Sequence, residues 1–333
     1  MTSGVFQSHL FLLQPKILRL KLILALSNRK IALALWIKFN TMLEKFRTLC
    51  EKKLYLKLIT VFLVVLASLA ILIPIVQLAL LFGVDLMKEH DIRMKIDFGN
   101  VFFFFLFGAC SIAIIWLAQK YIHKRTLADL GFRTKVLKLF FIGFLVGVFM
   151  VGLEYLVIGI SAGEVKFVSV IPNHISILAY IGYYSYFFFG MLIWNSFIEE
   201  LGCRAYPIET LRKQLNPHLI FTIMGVLFTL AHFIVRDFDI AYAIGLFITS
   251  YTLSGVYYYS GSIWLAIGVH TGINWFHFSF GGNVDNWKLG ALVRIEIYDV
   301  PTWILHVTQP LIGIGVFLLV RYVYKRPIQK NCA

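Results

Sequence analysis

Long runs of apolar residues, separated by short polar and basic stretches, form the main pattern along the chain. A helix needs about 20 apolar residues to cross the roughly 30 Å hydrocarbon core of a bilayer. Eight stretches meet or approach that length, and each predicts one membrane span. We therefore expect an all-α, polytopic membrane helix bundle with about eight transmembrane helices. The predicted spans lie near residues 58–82, 100–119, 139–160, 176–198, 217–235, 239–259, 262–280 and 302–324.

The composition agrees with a membrane protein rather than a soluble one. Hydrophobic residues make up 59% of the chain and charged residues 14%, and the mean hydropathy is +0.80. Soluble domains carry about 25% charged residues. The apolar excess is too large for one soluble core, and it is concentrated in the predicted spans.

The positive charge of the chain indicates an orientation in the membrane. A formal net charge of +14 would suggest nucleic-acid binding in a soluble protein. Here the Lys and Arg residues stand at the ends of apolar runs instead of along one solvated face, so we expect no nucleic-acid partner. With eight spans and both termini in the cytoplasm, 24 Lys and Arg residues fall inside and 7 outside. This asymmetry follows the positive-inside rule and predicts a multi-pass protein with two cytoplasmic termini.

The segment before the first span, residues 1–57, is a separate basic arm with 11 Lys and Arg residues. Its stretch from Leu10 to Phe39 is too charged to span a membrane. It also lacks the small-residue cleavage site of a secretory signal peptide. Two interpretations stay open: an amphipathic helix on the cytoplasmic membrane surface, or an extension without a functional role. The predicted domains are thus the arm, 1–57, and the bundle, 58–333.

Ionisable residues at membrane depth are costly and suggest function. Three short motifs on separate predicted spans contain them: Glu199-Glu200-Leu-Gly-Cys-Arg204, Phe228 to His232, and His270 to Asn274. In each motif two polar or aromatic residues four positions apart share a helix face. Glu199 points about 100° away from Glu200, because a helix has 3.6 residues per turn.

Helix rise places the three motifs at a similar depth, well below the predicted cytoplasmic surface. A carboxylate and an imidazole, Glu199 and His232, can together activate a water molecule. A second imidazole and an amide, His270 and Asn274, can donate hydrogen bonds to an oxyanion. Alternatively, Glu199, His232 and His270 can ligate Zn²⁺. The cofactor is therefore either zinc or none, and both readings predict water attack on an acyl group.

Each motif also has a purely structural interpretation. Glu200 and Arg204 can form an ion pair, Phe228 and His232 can pack in the core, and polar pairs can link helices. These interpretations explain the motifs one at a time, whereas one hydrolytic site explains all three. Asn195, one turn before Glu199, is expected either to bond Glu199 or to link helices. We expect structural roles for Glu154, His277 and His306.

The order of the motifs, EExxxR, FxxxH and HxxxN, resembles the CaaX protease and bacteriocin-processing enzyme (CPBP) family of intramembrane proteases, and within it the type II CaaX prenyl proteases. The stretches 126–133 (TLADLGFR) and 261–268 (GSIWLAIG) are also similar to segments of that family. The resemblance covers residues 125–280 and leaves the N-terminal arm out.

The resemblance implies an intramembrane endopeptidase that acts on a membrane-associated peptide or a prenylated protein. Transferred by position, Glu199 and His232 activate the water, and His270 and Asn274 stabilise the oxyanion. Glu200 and Arg204 support the site. The resemblance leaves open whether a metal takes part. Two alternatives stay open: a non-catalytic scaffold or bacteriocin self-immunity protein, and a transporter, although the paired interrupted half-helices typical of transporters are not evident.

Overall fold

The computed structural model describes residues 31–86, 98–132, 135–171, 175–233, 237–282 and 291–324. The chain divides into two compact units, Met1–Leu56 and Lys57–Ala333. In the first unit, helix α1 covers residues 31–52 and exposes large apolar side chains such as Trp36 and Phe39. The rest of the predicted surface helix, before residue 31, lies outside the described residues. Its location at the membrane surface stays a prediction.

From Leu54 onward the described chain is largely helical. Three π-helical turns interrupt or extend the helices, at Ala118–Ile122, Phe187–Leu192 and Leu201–Ala205, and one 3₁₀-helix covers Leu127–Leu130. The α-helices are α2 (Leu54–Ala70), α3 (Leu72–Leu81), α4 (Phe98–Leu117), α5 (Val136–Ile160), α6 (Ile177–Tyr186), α7 (Ile193–Glu200), α8 (Tyr206–Leu211), α9 (Pro217–His232), α10 (Ile240–Ser260), α11 (Ile263–Phe280) and α12 (Thr302–Tyr324).

The predicted polytopic helix bundle is confirmed. Within the described ranges, six helical stretches are long and apolar enough to cross a membrane. Helix α9 is apolar but has only 16 residues. Helix α11 has 18 residues and is not among the six, because His270, Asn274 and His277 lower its hydropathy. Each of the eight predicted spans therefore contains a helix, but two of them are less apolar or shorter than a typical span. The six stretches that are long and apolar enough to cross a membrane are Leu54–Leu81, Phe98–Ile122, Val136–Ile160, Ile177–Leu211, Ile240–Ser260 and Thr302–Tyr324.

The fourth of these stretches, Ile177–Leu211, is a continuous helical stretch of 35 residues. It is much longer than a perpendicular span needs, and it extends past the predicted end at residue 198. The π-helical turn Leu201–Ala205 directly follows Glu200 and contains Arg204. Single π-helical turns within α-helices often occur at functional sites, so the irregular turn coincides with the first sequence motif.

Two short strands, which the sequence pattern did not lead us to expect, join two loops at one end of the bundle. Strand β1 (Glu164–Ser169) follows α5, and strand β2 (Val293–Tyr298) follows α11. They pair antiparallel, with Glu164 opposite Tyr298. Both loops therefore lie on the same side, so an even number of membrane crossings separates them, as the eight-span topology requires. The cytoplasmic location of the termini stays a prediction.

At the other end, the segment Thr126–Leu130 fixes the start of α11. Thr126 and Asp129 cap the 3₁₀-helix by bonding each other's backbone. Gly131 follows with a positive φ of 87°, and its carbonyl accepts a hydrogen bond from Ile263 N at 3.4 Å. A Cβ atom at Gly131 would lie 3.0 Å from the Gly261 carbonyl oxygen. The close approach and the left-handed backbone both require glycine here.

Glycine pairs on α5 and α11 let these two helices cross in backbone contact. Gly143 and Gly147 on α5 face Gly268 and Gly272 on α11, and a Cβ atom at any of them would collide with the backbone of the opposite helix. Each pair has the GxxxG spacing that brings membrane helices close together. The crossing fixes the position of α11, which carries His270 between these glycines.

Candidate functional site

The first motif forms a fully buried ion pair. Arg204 Nη1 lies 3.0 Å from Glu200 Oε1, and both side chains are 0% exposed. Arg204 Nη2 donates a hydrogen bond to Ser250 Oγ on α10 at 2.9 Å. The guanidinium also lies over the Phe228 ring of α9, 4.1 Å from its centroid. A buried ion pair is stable only when further contacts compensate its desolvation, and here α9 and α10 supply them.

Glu200 also holds His270 on α11. His270 Nδ1 lies 2.8 Å from Glu200 Oε1. Because the carboxylate beside Arg204 can only accept a hydrogen bond, Nδ1 carries the hydrogen and donates it. This bond fixes the ring orientation, in the way that carboxylates orient catalytic and metal-binding histidines. The second ring nitrogen, Nε2, is left to face the remaining carboxylate of the motif.

Glu199 is the more accessible of the two carboxylates. Its Oε1 accepts a hydrogen bond from Asn195 Nδ2 at 2.7 Å, so the first of the two expectations for Asn195 is the one that the structure shows. Its Oε2 lies 3.6 Å from His270 Nε2, and the Glu199 side chain is 20% exposed. That distance is too long for a direct hydrogen bond. One water molecule beside the line that joins the two atoms can instead hydrogen-bond to both.

His232 lies near this site through a shared phenyl ring. The Phe228 ring centroid is 4.4 Å from that of His232 and 6.4 Å from that of His270. The two imidazole centroids therefore cannot be further apart than about one helix diameter, roughly 10–12 Å. His232 Nδ1 bonds the Phe228 carbonyl oxygen at 2.8 Å, so Nδ1 carries the hydrogen and Nε2 can accept one. Among the described residues, His232 is ion-paired with neither carboxylate.

Asn274 follows His270 by one turn on α11 and is half-buried. No hydrogen bond to another part of the described chain occupies its amide, so the side chain is available to a ligand. The residues expected to be structural lie elsewhere: the His277 ring packs 6.3 Å from that of Tyr155, and His306 is exposed on α12. Asn274 thus lies on the same face of α11 as His270.

Two contacts of the site were missed in the sequence. Ser250, which accepts the hydrogen bond from Arg204, is a small polar residue in an apolar helix, and such residues often link membrane helices. Phe228 was interpreted only as a partner of His232, but it also lies under Arg204. A cation buried in a membrane bundle is often placed over an aromatic ring, and this expectation would have connected the first two motifs.

The residues predicted as zinc ligands are Glu199, His232 and His270. Both histidines use Nδ1 for a protein acceptor, so only Nε2 of His232 and His270 could bind a metal, together with Glu199. In the part of the chain that the structure describes, no three His, Cys, Asp or Glu side chains converge on a possible metal position. The described arrangement of these residues does not fit a zinc site.

A model of a known family matches the part of the chain that contains these residues. Residues 182–276 match the family model described as type II CAAX prenyl endopeptidase Rce1-like. The match includes all three motifs and the ring and backbone contacts that join them, and it ends before β2. Comparison with curated proteins gives no match. The family resemblance of the motifs is confirmed: residues 182–276 of this multi-pass membrane protein are similar to the Rce1-like type II CAAX prenyl endopeptidases.

Proposed function

We propose that the protein is an intramembrane endopeptidase that hydrolyses a peptide bond near the end of a prenylated or otherwise membrane-associated substrate. One observation carries the proposal: Glu199 Oε2 and His270 Nε2 face each other across 3.6 Å. The Glu199 side chain is partly exposed, while its Oε2 atom is buried and has no hydrogen-bond partner in the described structure, so this oxygen can hold one water molecule shielded from bulk solvent. The family match supports the reaction class.

The attacking group is a water molecule bound to Glu199. Asn195 holds one carboxylate oxygen, so the other is directed at the water and accepts its proton as the oxygen attacks the scissile carbonyl. His232, with Nδ1 bonded to Phe228, presents Nε2 as an acceptor that orients the same water. General-base catalysis of this kind contributes about 10²–10⁴ in rate.

The tetrahedral intermediate is stabilised by donors on α11. To stabilise the oxyanion, His270 must carry a hydrogen on both ring nitrogens: Nδ1–H stays bonded to Glu200, and Nε2–H and the Asn274 amide donate hydrogen bonds to the oxyanion. When the intermediate collapses, the C–N bond breaks and the proton held by Glu199 passes to the leaving amine. The products are a carboxylic acid, which loses its proton to solvent, and a free amine, and the enzyme returns to its starting state.

Purified protein and a peptide with a prenylated CaaX-type end provide the test. We expect Glu199→Gln, His232→Ala and His270→Ala each to abolish cleavage. Asn274→Ala should retain measurable activity, because loss of one oxyanion donor costs about 10²–10³ in rate. Glu154→Gln, a neutral substitution of another glutamate in a membrane span, is the matched control and should cleave like the parent.

The same assay distinguishes the alternatives. Cleavage that survives a chelator supports the metal-free scheme, while chelator inactivation reversed by Zn²⁺ would overturn it and support the predicted metal set. Should Glu199→Gln and both histidine variants cleave at the parental rate, the catalytic proposal fails. If neither the parent nor any variant cleaves, although a phenotype of the protein is retained, the scaffold or self-immunity interpretation replaces it.

A further inference from the structure

A second group of aromatic and polar side chains joins α9, α10 and α12. We call it the His218 cluster, and it consists of His218, Tyr251, Tyr259, Phe317 and Arg321. His218 lies in the first turn of α9 and His232 in the last, which separates them by about 20 Å at 1.5 Å per residue. The cluster is therefore distinct from the proposed catalytic site.

His218 and Tyr251 form a hydrogen-bonded pair with an unused polar hydrogen. His218 Nδ1 lies 2.6 Å from the Tyr251 hydroxyl. If Nδ1 accepts this bond, the ring hydrogen is on Nε2 and points away. If Nδ1 donates it, the Tyr251 hydroxyl keeps its own hydrogen for another group. In both tautomers the pair can donate one further hydrogen bond.

Tyr259 adds a buried donor. Its side chain is 2% exposed, and its hydroxyl has no hydrogen-bond partner in the described structure. Its ring packs 5.7 Å from that of Phe317, which in turn packs directly over Gly255. An unpaired buried hydroxyl costs about 1–3 kcal/mol, and an acceptor brought by a ligand would remove that cost.

Arg321 supplies a positive charge to the cluster. It lies one turn beyond Phe317 on the same face of α12, within electrostatic range of His218, Tyr251 and Tyr259. Arg321 is exposed, and across the described ranges no carboxylate is ion-paired with it. The cluster thus combines one cation and at least two hydrogen-bond donors without a compensating acidic side chain.

We propose that the His218 cluster binds a phosphate group, the anion whose several oxygens match a guanidinium and adjacent hydroxyl donors. The surroundings favour a phospholipid as its source, since Leu219, Leu318 and Leu319 beside the cluster are exposed and apolar. Basic pockets between membrane helices bind lipid headgroups in this way. The proposal does not depend on the proposed protease activity.

Native mass spectrometry of the delipidated protein in detergent tests the proposal. The probes are phosphatidylglycerol, a diacylglycerol with the same acyl chains, and inorganic phosphate. We expect phosphatidylglycerol to bind at least tenfold more tightly than diacylglycerol. Arg321→Gln should weaken it by about tenfold or more, and Tyr259→Phe by about fivefold, as expected for charged and neutral hydrogen bonds. Lys138→Gln, which removes an exposed charge from α5, is the control and should bind like the parent.

The outcomes separate the sources of phosphate. If inorganic phosphate displaces phosphatidylglycerol, and Arg321→Gln and Tyr259→Phe both weaken the binding of inorganic phosphate, the cluster binds free phosphate. Binding that requires both the acyl chains and the headgroup supports a phospholipid. Equal affinity for diacylglycerol and phosphatidylglycerol, or unchanged binding by Tyr259→Phe and Arg321→Gln, would overturn the proposal. Tyr259→Phe removes one oxygen atom and keeps the ring, so it tests the site even if Arg321→Gln does not fold.

Discussion

Removing Arg204 should destabilise the protein far more than removing Arg204 and the charge of Glu200 together. The two side chains are fully buried with 3.0 Å between Nη1 and Oε1. In Arg204→Met, Glu200 would remain as a buried charge without its partner. A methionine fills much of the same volume and can pack on Phe228, so most of the loss is electrostatic.

The expected loss can be estimated from the contacts. Breaking a buried ion pair by removing one partner typically costs about 3–5 kcal/mol. The hydrogen bond to Ser250 and the contact with Phe228 place Arg204→Met at the upper part of that range. In Glu200→Gln/Arg204→Met neither member of the pair carries a charge, and replacing a buried pair by neutral residues is often neutral or stabilising. We expect the double variant to unfold within about 1–2 kcal/mol of the parent, the size of one or two hydrogen bonds.

Unfolding in mixed detergent micelles, followed by circular dichroism, measures both variants against the parent. Cleavage measured on the same samples separates stability from function. The double variant should be folded and yet cleave about 10–100-fold more slowly, because Glu200 no longer carries the charge that orients His270. Ser250→Ala is a milder control that removes one neutral partner of Arg204 and should cost about 1 kcal/mol.

Two results would refute this reasoning. A loss below about 1 kcal/mol for Arg204→Met, within the range of exposed ion pairs, would show that the pair is not desolvated. A double variant as unstable as Arg204→Met would show that packing, not the unpaired charge, dominates. Full activity in the double variant would show that Glu200 does not act through His270.

Three further predictions concern the helix crossing, the carboxylate and the topology. Gly147→Ala should cost about 1–3 kcal/mol in unfolding free energy and lower cleavage, because its Cβ meets the α11 backbone, whereas Gly182→Ala, where the space is open, should leave both unchanged. Asn195→Ala should lower cleavage about tenfold without a measurable change in unfolding, since the partly exposed Glu199 can bond water instead; unchanged cleavage would contradict its positioning role. Reporter fusions after Lys57 and after Arg326 should both report the cytoplasm, and one external report would refute the predicted topology.

Most of the bundle could be predicted because membrane helices are local in sequence. An apolar run of sufficient length specifies a span with little reference to the rest of the chain, and α5, α10 and α12 follow their predicted ranges closely. The strands could not be found this way. Val293–Tyr298 alternates apolar and polar residues, as a strand does, but its partner lies more than 120 residues earlier, and the pairing depends on the helices between them.

The site was predictable to the level of helix faces and no further. The 3.6-residue period is sufficient to pair Glu200 with Arg204 and to separate Glu199 from them, as the structure shows. The contact between Glu200 and His270 depends on the distance between α7 and α11. The helix period of one segment does not specify that distance. The glycine pairs that bring α11 against α5 were likewise not recognised in the sequence.

The adjacent residues Glu199 and Glu200 illustrate how one helix turn can supply two different carboxylates. The rotation of about 100° between them places Glu200 inside, where Arg204 and His270 occupy the same oxygen atom, and leaves Glu199 partly exposed with one oxygen free of hydrogen bonds. A base must be able to gain and lose a proton, whereas a group that orients an imidazole must keep its charge. Arg204 supplies the counter-charge beside Glu200, and the hydrogen bond from Asn195 positions Glu199 without adding a second cation beside it. The proposed division of labour therefore follows from burial and contacts, since the two side chains are chemically identical.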